Sequence, residues 1–237
     1  MLRMITWNCN MAFRYKSEKI LRYRPDVLVI PECEHPDKIL LSGLGKLSDC
    51  CWFGTNRHKG LGIFAFNNYK LKPIDNYQPE IKTIVPLQVS NGNTDFNLLA
   101  VWANNPSEPK YQYVGQVWKA IHHYKDFLQE KKIILAGDFN SNTIWDRPKR
   151  NWNHSHVVAL LAQHKISSAY HQYFNQQQGK EKHSTFYLYR HKDKPYHLDY
   201  CFASAYFTNK LASVSIGTHH KWGKYSDHSP LIATFSL

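Results

Sequence analysis

Short apolar runs rich in β-branched and aromatic residues recur along the whole chain and predict a protein built largely from β-strands. These runs span residues 2–7, 27–30, 62–66, 83–89, 97–103, 132–136, 185–189, 197–203 and 231–235. Apolar residues at helical spacing predict helices over residues 17–24, 113–130 and 156–164. Because helices separate many of the strands while other strands follow one another directly, the pattern predicts two sheets packed face to face and covered by helices.

The length and composition of the chain suit one well-buried unit. The chain has 237 residues, and 43% of them are hydrophobic. Because β-rich domains often reach this size undivided, we expect a single domain over residues 1–237. No apolar run approaches the length of a membrane span, and the N-terminus lacks the pattern of a signal peptide. The 5 cysteines show no paired spacing, so we expect reduced thiols in a cytoplasmic protein. We also expect the protein to be soluble and monomeric.

The charge of the chain is strongly positive. Lys and Arg number 30 against 18 Asp and Glu, which gives a formal net charge of +12. Such a balance favours polyanionic partners, of which nucleic acid, anionic lipid and polyphosphate are examples. The alternative is a basic surface that serves solubility alone.

Polar side chains follow several of the predicted strands at the point where each strand ends. A lone Asn or Asp in such a position is usually a turn residue, but recurrence at many strand ends predicts a shared cleft. The residues concerned are Asn8, Asn10, Glu32, Asn104, Asn105, Asp138 and Asn140. Together with the distant Asp199, Asp227 and His228, they supply carboxylates for a hard cation, a carboxylate for water and a histidine for phosphoryl oxygens. This inventory predicts a metal-dependent phosphoesterase.

A set of short motifs resembles the endonuclease/exonuclease/phosphatase superfamily, which has the DNase I-like fold. The resemblance extends from residue 4 to residue 235 and is most specific in Gly137-Asp138-Phe139-Asn140 combined with Ser226-Asp227-His228-Ser229-Pro230. The supporting motifs are Trp7-Asn8, Pro31-Glu32, Gly60-Leu61-Gly62-Ile63, Ser184-Thr185-Phe186 and His197-Leu198-Asp199-Tyr200. The resemblance implies an α/β fold, namely a four-layer αββα sandwich of two mixed β-sheets flanked by helices. It also implies a Mg²⁺ or Mn²⁺ site and hydrolysis of a phosphoester.

The resemblance further implies which residues hold the metal. Glu32 resembles the principal metal ligand, which agrees with the preference of Mg²⁺ for a few oxygen ligands from protein. Asp227 resembles the second acidic contact, and Asn8 resembles the polar group that supports it. Asn10 lies where some members of the family carry an acid, so the metal site is expected to have one formal charge less.

The catalytic roles are likewise implied by the resemblance. Asp138 resembles the residue that orients and deprotonates the attacking water, and Asn140 the residue that binds this water or a phosphate oxygen. Asp199 and His228 resemble a pair in which the carboxylate fixes the imidazole tautomer and favours its protonated form. A protonated His228 would stabilise charge that develops on the phosphoryl oxygens.

Two regions are candidates for substrate contact. Trp102 lies where family members commonly carry a tyrosine or histidine beside the phosphate, and the matching asparagine is either Asn104 or Asn105. A structural role for Trp102 is an equal alternative. The loop 141–154 combines aromatic and basic side chains able to stack bases and bind phosphates, or alternatively it packs on its own domain. Its side chains of interest are Trp145, Arg147, Lys149, Arg150 and Trp152.

The substrate is open at the level of the family, which cleaves DNA, RNA, phosphoinositides and sphingomyelin. The positive charge favours nucleic acid, because a basic surface gains from counterion release along a polyanion. We therefore predict a Mg²⁺-dependent nuclease. The alternatives are a phosphomonoesterase or phospholipid-headgroup hydrolase of the same fold, and a non-catalytic nucleic-acid-binding module. The sequence does not distinguish DNA from RNA, or attack at ends from attack at interior sites.

Overall fold

The structure is a computed structural model that describes residues 1–39, 41–74, 81, 83–105 and 108–237. The strands are β1 Leu2–Thr6, β2 Val27–Cys33, β3 Leu47–Asn56, β4 Lys59–Phe66, β5 Lys70–Pro73, β6 Ile84–Ser90, β7 Asp95–Trp102, β8 Ile133–Asp138, β9 Ile166–Ser168, β10 Phe186–Tyr187, β11 Pro195–Tyr196, β12 Asp199–Ser204, β13 Leu211–Ile216 and β14 Leu231–Phe235. The α-helices are α1 Ser17–Leu21, α2 Val114–His123, α3 His154–Gln163, α4 Ala169–Phe174, α5 Ala205–Thr208 and α6 His219–Trp222.

Two six-stranded mixed sheets form the centre of the molecule. The first sheet has the strand order β13-β14-β1-β2-β4-β3, and the second has the order β5-β6-β7-β8-β12-β9. In each sheet one pair of strands is parallel, β1 with β2 in the first and β7 with β8 in the second, and the neighbouring pairs are antiparallel. The predicted sandwich of two mixed sheets flanked by helices is confirmed.

The layers explain why the strand sequences are almost continuously apolar. In β8, Ile134 and Ala136 face the core between the two sheets, whereas Ile133 and Leu135 face the core beneath helices α2 and α3. Strand β2 divides its residues in the same way between the central core and the core beneath α1. A strand buried on both faces has no reason to alternate between apolar and polar residues.

The two parallel pairs determine where the cleft lies. In a parallel pair both carboxyl ends lie at the same edge of the sheet, so β1 ends beside β2 and β7 ends beside β8. Strands β1 and β2 also contact β8 across the sandwich. The loops that follow these four strands therefore meet at one end of the molecule.

The structure differs from the sequence prediction at the edges of the sheets, at the ends of the predicted helices, and in the short elements β11, α4, α5 and α6, which the sequence pattern does not predict. Strands β3, β5, β9 and β13 were not predicted, because their sequences mix polar with apolar residues, and all four lie at the edges of the sheets. The helix predicted over residues 113–130 is shorter, because α2 is followed by a separate 3₁₀ turn, Phe127–Gln129. Among the described residues, no helix combines the length and the apolar character needed to cross a bilayer.

Candidate active site

Asn8 lies just beyond the carboxyl end of β1 and connects the two sheets. Its buried Nδ2 donates to Asp138 Oδ2 at 2.9 Å and to Glu32 Oε1 at 3.3 Å. The hydroxyl of Ser226 donates to the Asn8 carbonyl oxygen at 2.7 Å and fixes the backbone at this point. Because one amide group contacts both carboxylates, Asn8 sets the position of Glu32 relative to Asp138.

Glu32 occupies a β-bulge in β2. Pro31 pairs with Leu61 and Cys33 pairs with Gly60, so Glu32 is the extra residue on its strand. Its φ is +60°, a left-handed value that is uncommon for residues other than glycine. A bulge re-aims a side chain that would otherwise follow the alternation of the strand. The glutamate carboxylate thereby reaches the cleft, where its side chain is 19% exposed.

Gly137 explains how β8 brings Asp138 into the site. Its φ is +150°, and a Cβ atom at this position would lie 1.7 Å from the carbonyl oxygen of Val101 on the neighbouring strand β7. Only glycine permits so close an approach of the two strands. The Asp138 side chain then accepts the backbone N–H of Asn140 at 2.8 Å and the side-chain amide of Asn140 at 3.0 Å.

His228 lies between two buried carboxylates. Its Nδ1 is 2.8 Å from Asp199 Oδ2, and its Nε2 is 3.9 Å from Asp138 Oδ2. Burial alone would lower the pKa of His228, but the charges of Asp199 and Asp138 outweigh it and raise this pKa above its ordinary value. Burial raises the pKa of Asp138, and the positive charge of His228 acts in the opposite direction. The geometry favours an imidazolium between two acids.

Asp227 and Asn10 complete the group at the mouth of the cleft. Asn10 Nδ2 donates to Asp227 Oδ1 at 2.8 Å, and the backbone N–H of Asn10 donates to Asn8 Oδ1 at 3.0 Å. Hydrogen bonds therefore link Asp227 to Glu32 through two asparagines. Glu32, Asn10 and Asp227 are partly exposed, whereas Asp138 is fully buried beneath them.

The residues at the mouth of the cleft fit a hard divalent cation. Glu32 and Asp227 are partly exposed carboxylates, and oxygen donors of this kind are those that Mg²⁺ and Mn²⁺ accept. A second arrangement also exists deeper in the cleft, since ligand atoms of Asp138, Asp199 and His228 lie within 4.8 Å of one another. In that arrangement the imidazole is already bonded to Asp199. The partly exposed carboxylates offer oxygen donors alone, which is the ligand type that a hard cation prefers.

Lys59 is a site residue with no signal in the sequence. Its ammonium lies 3.1 Å from Glu32 Oε2 and 5.5 Å from the centre of the Trp102 ring. Trp102 itself is only 8% exposed. Trp102 is thus a buried residue on which the Lys59 ammonium rests. Lys59 directly precedes the motif Gly60-Leu61-Gly62-Ile63, but it is one of many dispersed basic residues, so nothing in the sequence distinguishes it.

The loop 141–154 contains both packing residues and exposed residues. Trp145 is 42% exposed, and the centre of its ring lies 5.0 Å from that of Tyr196, whereas the ring centres of Trp152 and Tyr111 are 4.9 Å apart. The Arg150 guanidinium donates to Asn153 Oδ1 at 2.7 Å and to the Trp145 carbonyl oxygen at 3.2 Å.

The remaining basic residues of this loop, Arg147 and Lys149, are exposed. Asn105 is also exposed, and the amide of Asn104 donates to Thr83 Oγ1 at 2.8 Å. Of the two asparagines that follow β7, Asn105 is therefore the one that offers its side chain to the surface.

The hydroxyl groups of Thr185 and Ser226 accept backbone N–H groups at Asp199 and at His228. Thr185 Oγ1 accepts the N–H groups of Leu198 and Asp199, each at 2.9 Å. Ser226 Oγ accepts the N–H of His228 at 3.0 Å. Both residues belong to motifs visible in the sequence, but only the folded structure shows what their hydroxyl groups bind.

A family model and several solved structures are similar to this chain. The model described as the endonuclease/exonuclease/phosphatase family matches residues 5–228. An AP endonuclease from Archaeoglobus fulgidus is 18% identical with a TM-score of 0.73, and 100% of each chain is covered. The 3′ phosphatase NExo (D146N) from Neisseria, bound to a product DNA hairpin, is 17% identical with a TM-score of 0.73, again with 100% of each chain covered. The endonuclease domain of TRAS1, a telomere-specific non-LTR retrotransposon, is 14% identical with a TM-score of 0.66, covering 100% of this chain and 99% of that one. Comparison with curated protein sequences gives no match.

Proposed function

The chain belongs to the endonuclease/exonuclease/phosphatase family and is a phosphoric ester hydrolase, and we propose that it cleaves phosphodiester bonds of nucleic acid with a divalent cation, Mg²⁺ or Mn²⁺. The observation that carries this proposal is the position of Asn8. Its amide joins Asp138, suited to handling water, to Glu32, suited to holding a cation. A protein that only binds nucleic acid does not require this combination.

Glu32 and Asp227 are the residues that would hold the cation, with Asn10 supporting Asp227. The bound ion would neutralise charge on the phosphoryl oxygens as a Lewis acid. The protein itself fixes the two carboxylates through the bulge at Glu32 and the Asn10 amide. These contacts orient the ligands before substrate arrives.

Asp138 is the group proposed to accept a proton from the attacking water. Burial raises the pKa of this carboxyl, which makes it a stronger proton acceptor than an exposed aspartate. Asn140 donates from both its backbone and its side chain to Asp138, and so it holds the carboxylate in one orientation. Asn140 also donates to the Ala103 carbonyl oxygen at 2.7 Å, which ties the loop after β8 to the end of β7.

His228 is proposed to stabilise the phosphoryl oxygens. Asp199 accepts from Nδ1, so the Nε2–H points away from this aspartate and toward the Asp138 side of the cleft. A donor in a buried site has a larger electrostatic effect on developing negative charge than the same donor in water. Asp199 acts through the imidazole by holding its orientation.

We propose nucleic acid as the substrate because of the net charge of the protein and the residues of the loop 141–154. The net charge is +12. The exposed residues Trp145, Arg147 and Lys149 lie in the loop 141–154, which directly follows Gly137-Asp138-Phe139-Asn140. Among the similar structures, the Neisseria protein is bound to a product DNA hairpin and the TRAS1 domain is an endonuclease. Because the Neisseria protein is described as a 3′ phosphatase, removal of a terminal phosphate from DNA is a second candidate activity.

The purified protein distinguishes these activities on a panel of substrates. The panel contains matched single- and double-stranded DNA and RNA, a duplex with a 3′ phosphate, a small aryl phosphodiester and a phosphoinositide, each with Mg²⁺ and with excess EDTA. We expect Mg²⁺-dependent breakage of a polynucleotide at a higher kcat/KM than that of the small diester. Turnover of the small ester or the phosphoinositide alone would contradict the nuclease proposal.

The loop 141–154 is tested by a double variant, Arg147→Ala with Lys149→Ala. If both side chains bind phosphates, the log–log dependence of Kd on salt should flatten by about one unit for each phosphate that is no longer neutralised. Arg150→Ala is the matched control, because this guanidinium is already bonded within the loop. An unchanged salt dependence in the double variant would place the polynucleotide elsewhere on the surface.

A further inference from the structure

The loop after β1 has an unusual backbone. Asn10, Met11 and Ala12 have φ values of +50°, +61° and +50°, so three consecutive residues other than glycine are left-handed. This conformation is unfavourable for L-residues, and glycine is the residue that adopts it without steric strain. Asparagine tolerates the left-handed region because its side chain can hydrogen-bond to nearby backbone groups, whereas the methionine side chain cannot.

Specific contacts hold this loop in place. The Lys16 ammonium donates to the carbonyl oxygens of Cys9, Asn10 and Met11 at 2.7, 3.2 and 2.9 Å. At the other side, the Asn10 amide donates to Asp227 at 2.8 Å. Strained backbone persists where the surrounding structure determines it, and it is concentrated at functional sites.

The loop carries an exposed apolar residue directly beside Asn10, which lies at the mouth of the cleft. Met11 is 42% exposed. It directly follows Asn10, whose amide is bonded to Asp227, and adjacent Cα atoms are about 3.8 Å apart. Met11 is therefore the neighbour of Asn10, which supports the proposed metal ligand Asp227, and it does not belong to the hydrophobic core.

We propose that Met11 is a substrate-positioning residue that packs against the sugar or base edge of the nucleotide beside the scissile phosphate. This inference rests on the proposed nuclease function. Methionine is flexible and polarisable, makes favourable contacts with aromatic rings, and serves in other proteins as an apolar wedge against nucleotides. The Lys16 ammonium, which donates to the Met11 carbonyl oxygen, keeps the backbone of this exposed residue in its left-handed conformation.

The test compares Met11→Gly with the wild-type protein. Glycine suits the left-handed backbone, so the melting temperature should stay within about 3 °C of the wild-type value or rise, since relief of strain offsets the greater freedom of the unfolded chain. The Kd for an oligonucleotide in Ca²⁺, and the kcat/KM for its cleavage in Mg²⁺, should each worsen by about tenfold, equal to 1.4 kcal/mol. Turnover of a small aryl phosphodiester, which lacks the flanking nucleotide, should be unchanged.

Two controls separate the side chain from the loop. Ala12→Gly relieves strain at the next position while keeping Met11, so it should leave oligonucleotide binding unchanged. Met11→Leu keeps apolar bulk and should retain most of the affinity that Met11→Gly lacks. Equally weakened binding in Ala12→Gly and Met11→Gly, or an unchanged Kd in Met11→Gly, would overturn the inference. Failure of the proposed function has a different signature, namely a wild-type protein that does not cleave the oligonucleotide in Mg²⁺.

Discussion

At the scale of single residues, His228 has the environment expected of a charged group in the chemical step. We predict that His228→Ala lowers kcat on an oligonucleotide by about 10² or more, because it removes the donor proposed to stabilise developing charge. The imidazole is buried against the Phe186 ring at 4.7 Å, so its removal also leaves a small cavity. His228→Gln, which fills more of that space, should show the same decrease of kcat with a melting temperature closer to wild type. A rate within a few fold of wild type in both variants would remove His228 from the mechanism.

Glu32 and Lys59 should affect metal binding in opposite directions. Glu32→Gln removes the charge of a proposed metal ligand and should raise the Mn²⁺ concentration for half-saturation, measured by calorimetry without substrate. Lys59→Met removes an ammonium that lies 3.1 Å from the same carboxylate, so it should lower that concentration. Identical metal titrations in the wild type and Glu32→Gln would show that Glu32 is not a ligand. A weaker Mn²⁺ affinity in Lys59→Met would show that the lysine does not compete with the ion.

At the scale of elements, the close approach of β7 and β8 is the feature most sensitive to substitution. A Cβ at Gly137 would overlap the Val101 carbonyl oxygen, so Gly137→Ala should separate the strands and lower the free energy of unfolding by about 3 kcal/mol or more. Gly92→Ala is the matched control, since Gly92 also has a positive φ but has open space around it. That variant should be destabilised by only about 1 kcal/mol. Equal urea midpoints for the two variants would contradict the proposed role of Gly137 in β8.

The same elements indicate what the sequence predicts well. Strands buried on both faces, such as β2, β7 and β8, are continuous apolar runs, and the polar residues at their ends are visible directly. The edge strand β3 was not predicted, because its residues are only partly buried and its sequence mixes polar with apolar residues. Helix α3 begins at His154 behind the N-cap Asn153, two residues before the start predicted at residue 156.

The geometry of the site depends on contacts between distant segments. Glu32 is visible in the sequence as an acid after a strand, but its bulge depends on the register between β2 and β4. Asn8 is visible as a polar residue, whereas its bonds to Asp138 and Glu32 follow from packing the two sheets together. The sequence does not identify Lys59 and Met11 as site residues, because the role of a lone basic or apolar residue depends on which residues surround it in the fold.

At the scale of the whole molecule, a buried histidine makes the stability of the fold sensitive to acid. Burial lowers the pKa of His154 to about 4, from an ordinary value near 6.5. Below pH 6.5 the unfolded chain binds a proton that the folded protein excludes, so stability should fall as the pH drops from 6.5 toward 4. The decrease due to this residue approaches about 3 kcal/mol.

His154→Gln tests this assignment through urea unfolding between pH 7 and pH 5. Glutamine does not titrate, so the stability of the variant should decrease less over this range than that of the wild type. The absolute stability of the variant is not the readout, because Nδ1 of His154 lies 2.8 Å from Ser141 Oγ and its replacement alters that contact. Parallel pH profiles of the two proteins would contradict the assignment.

The whole molecule combines a positive net charge with a buried, acidic centre, and the two have different functions in the proposed mechanism. In that mechanism the basic side chains would attract a polyanion, and the centre would act on one of its phosphates. A salt-dependent affinity combined with a salt-independent turnover of a small diester would separate these functions. The proposed mechanism predicts that turnover of either substrate requires a cation at the mouth of the cleft and Asp138 beneath it.

The most direct measurement of the proposed mechanism is single-turnover cleavage of an end-labelled oligonucleotide as a function of free Mg²⁺, for the wild type and for Asp138→Asn. We expect a saturable increase of the wild-type rate with Mg²⁺, no cleavage in excess EDTA, and a rate about 10² or more lower for the variant at saturating Mg²⁺. Cleavage that persists in excess EDTA, or a variant as fast as the wild type, would contradict the mechanism.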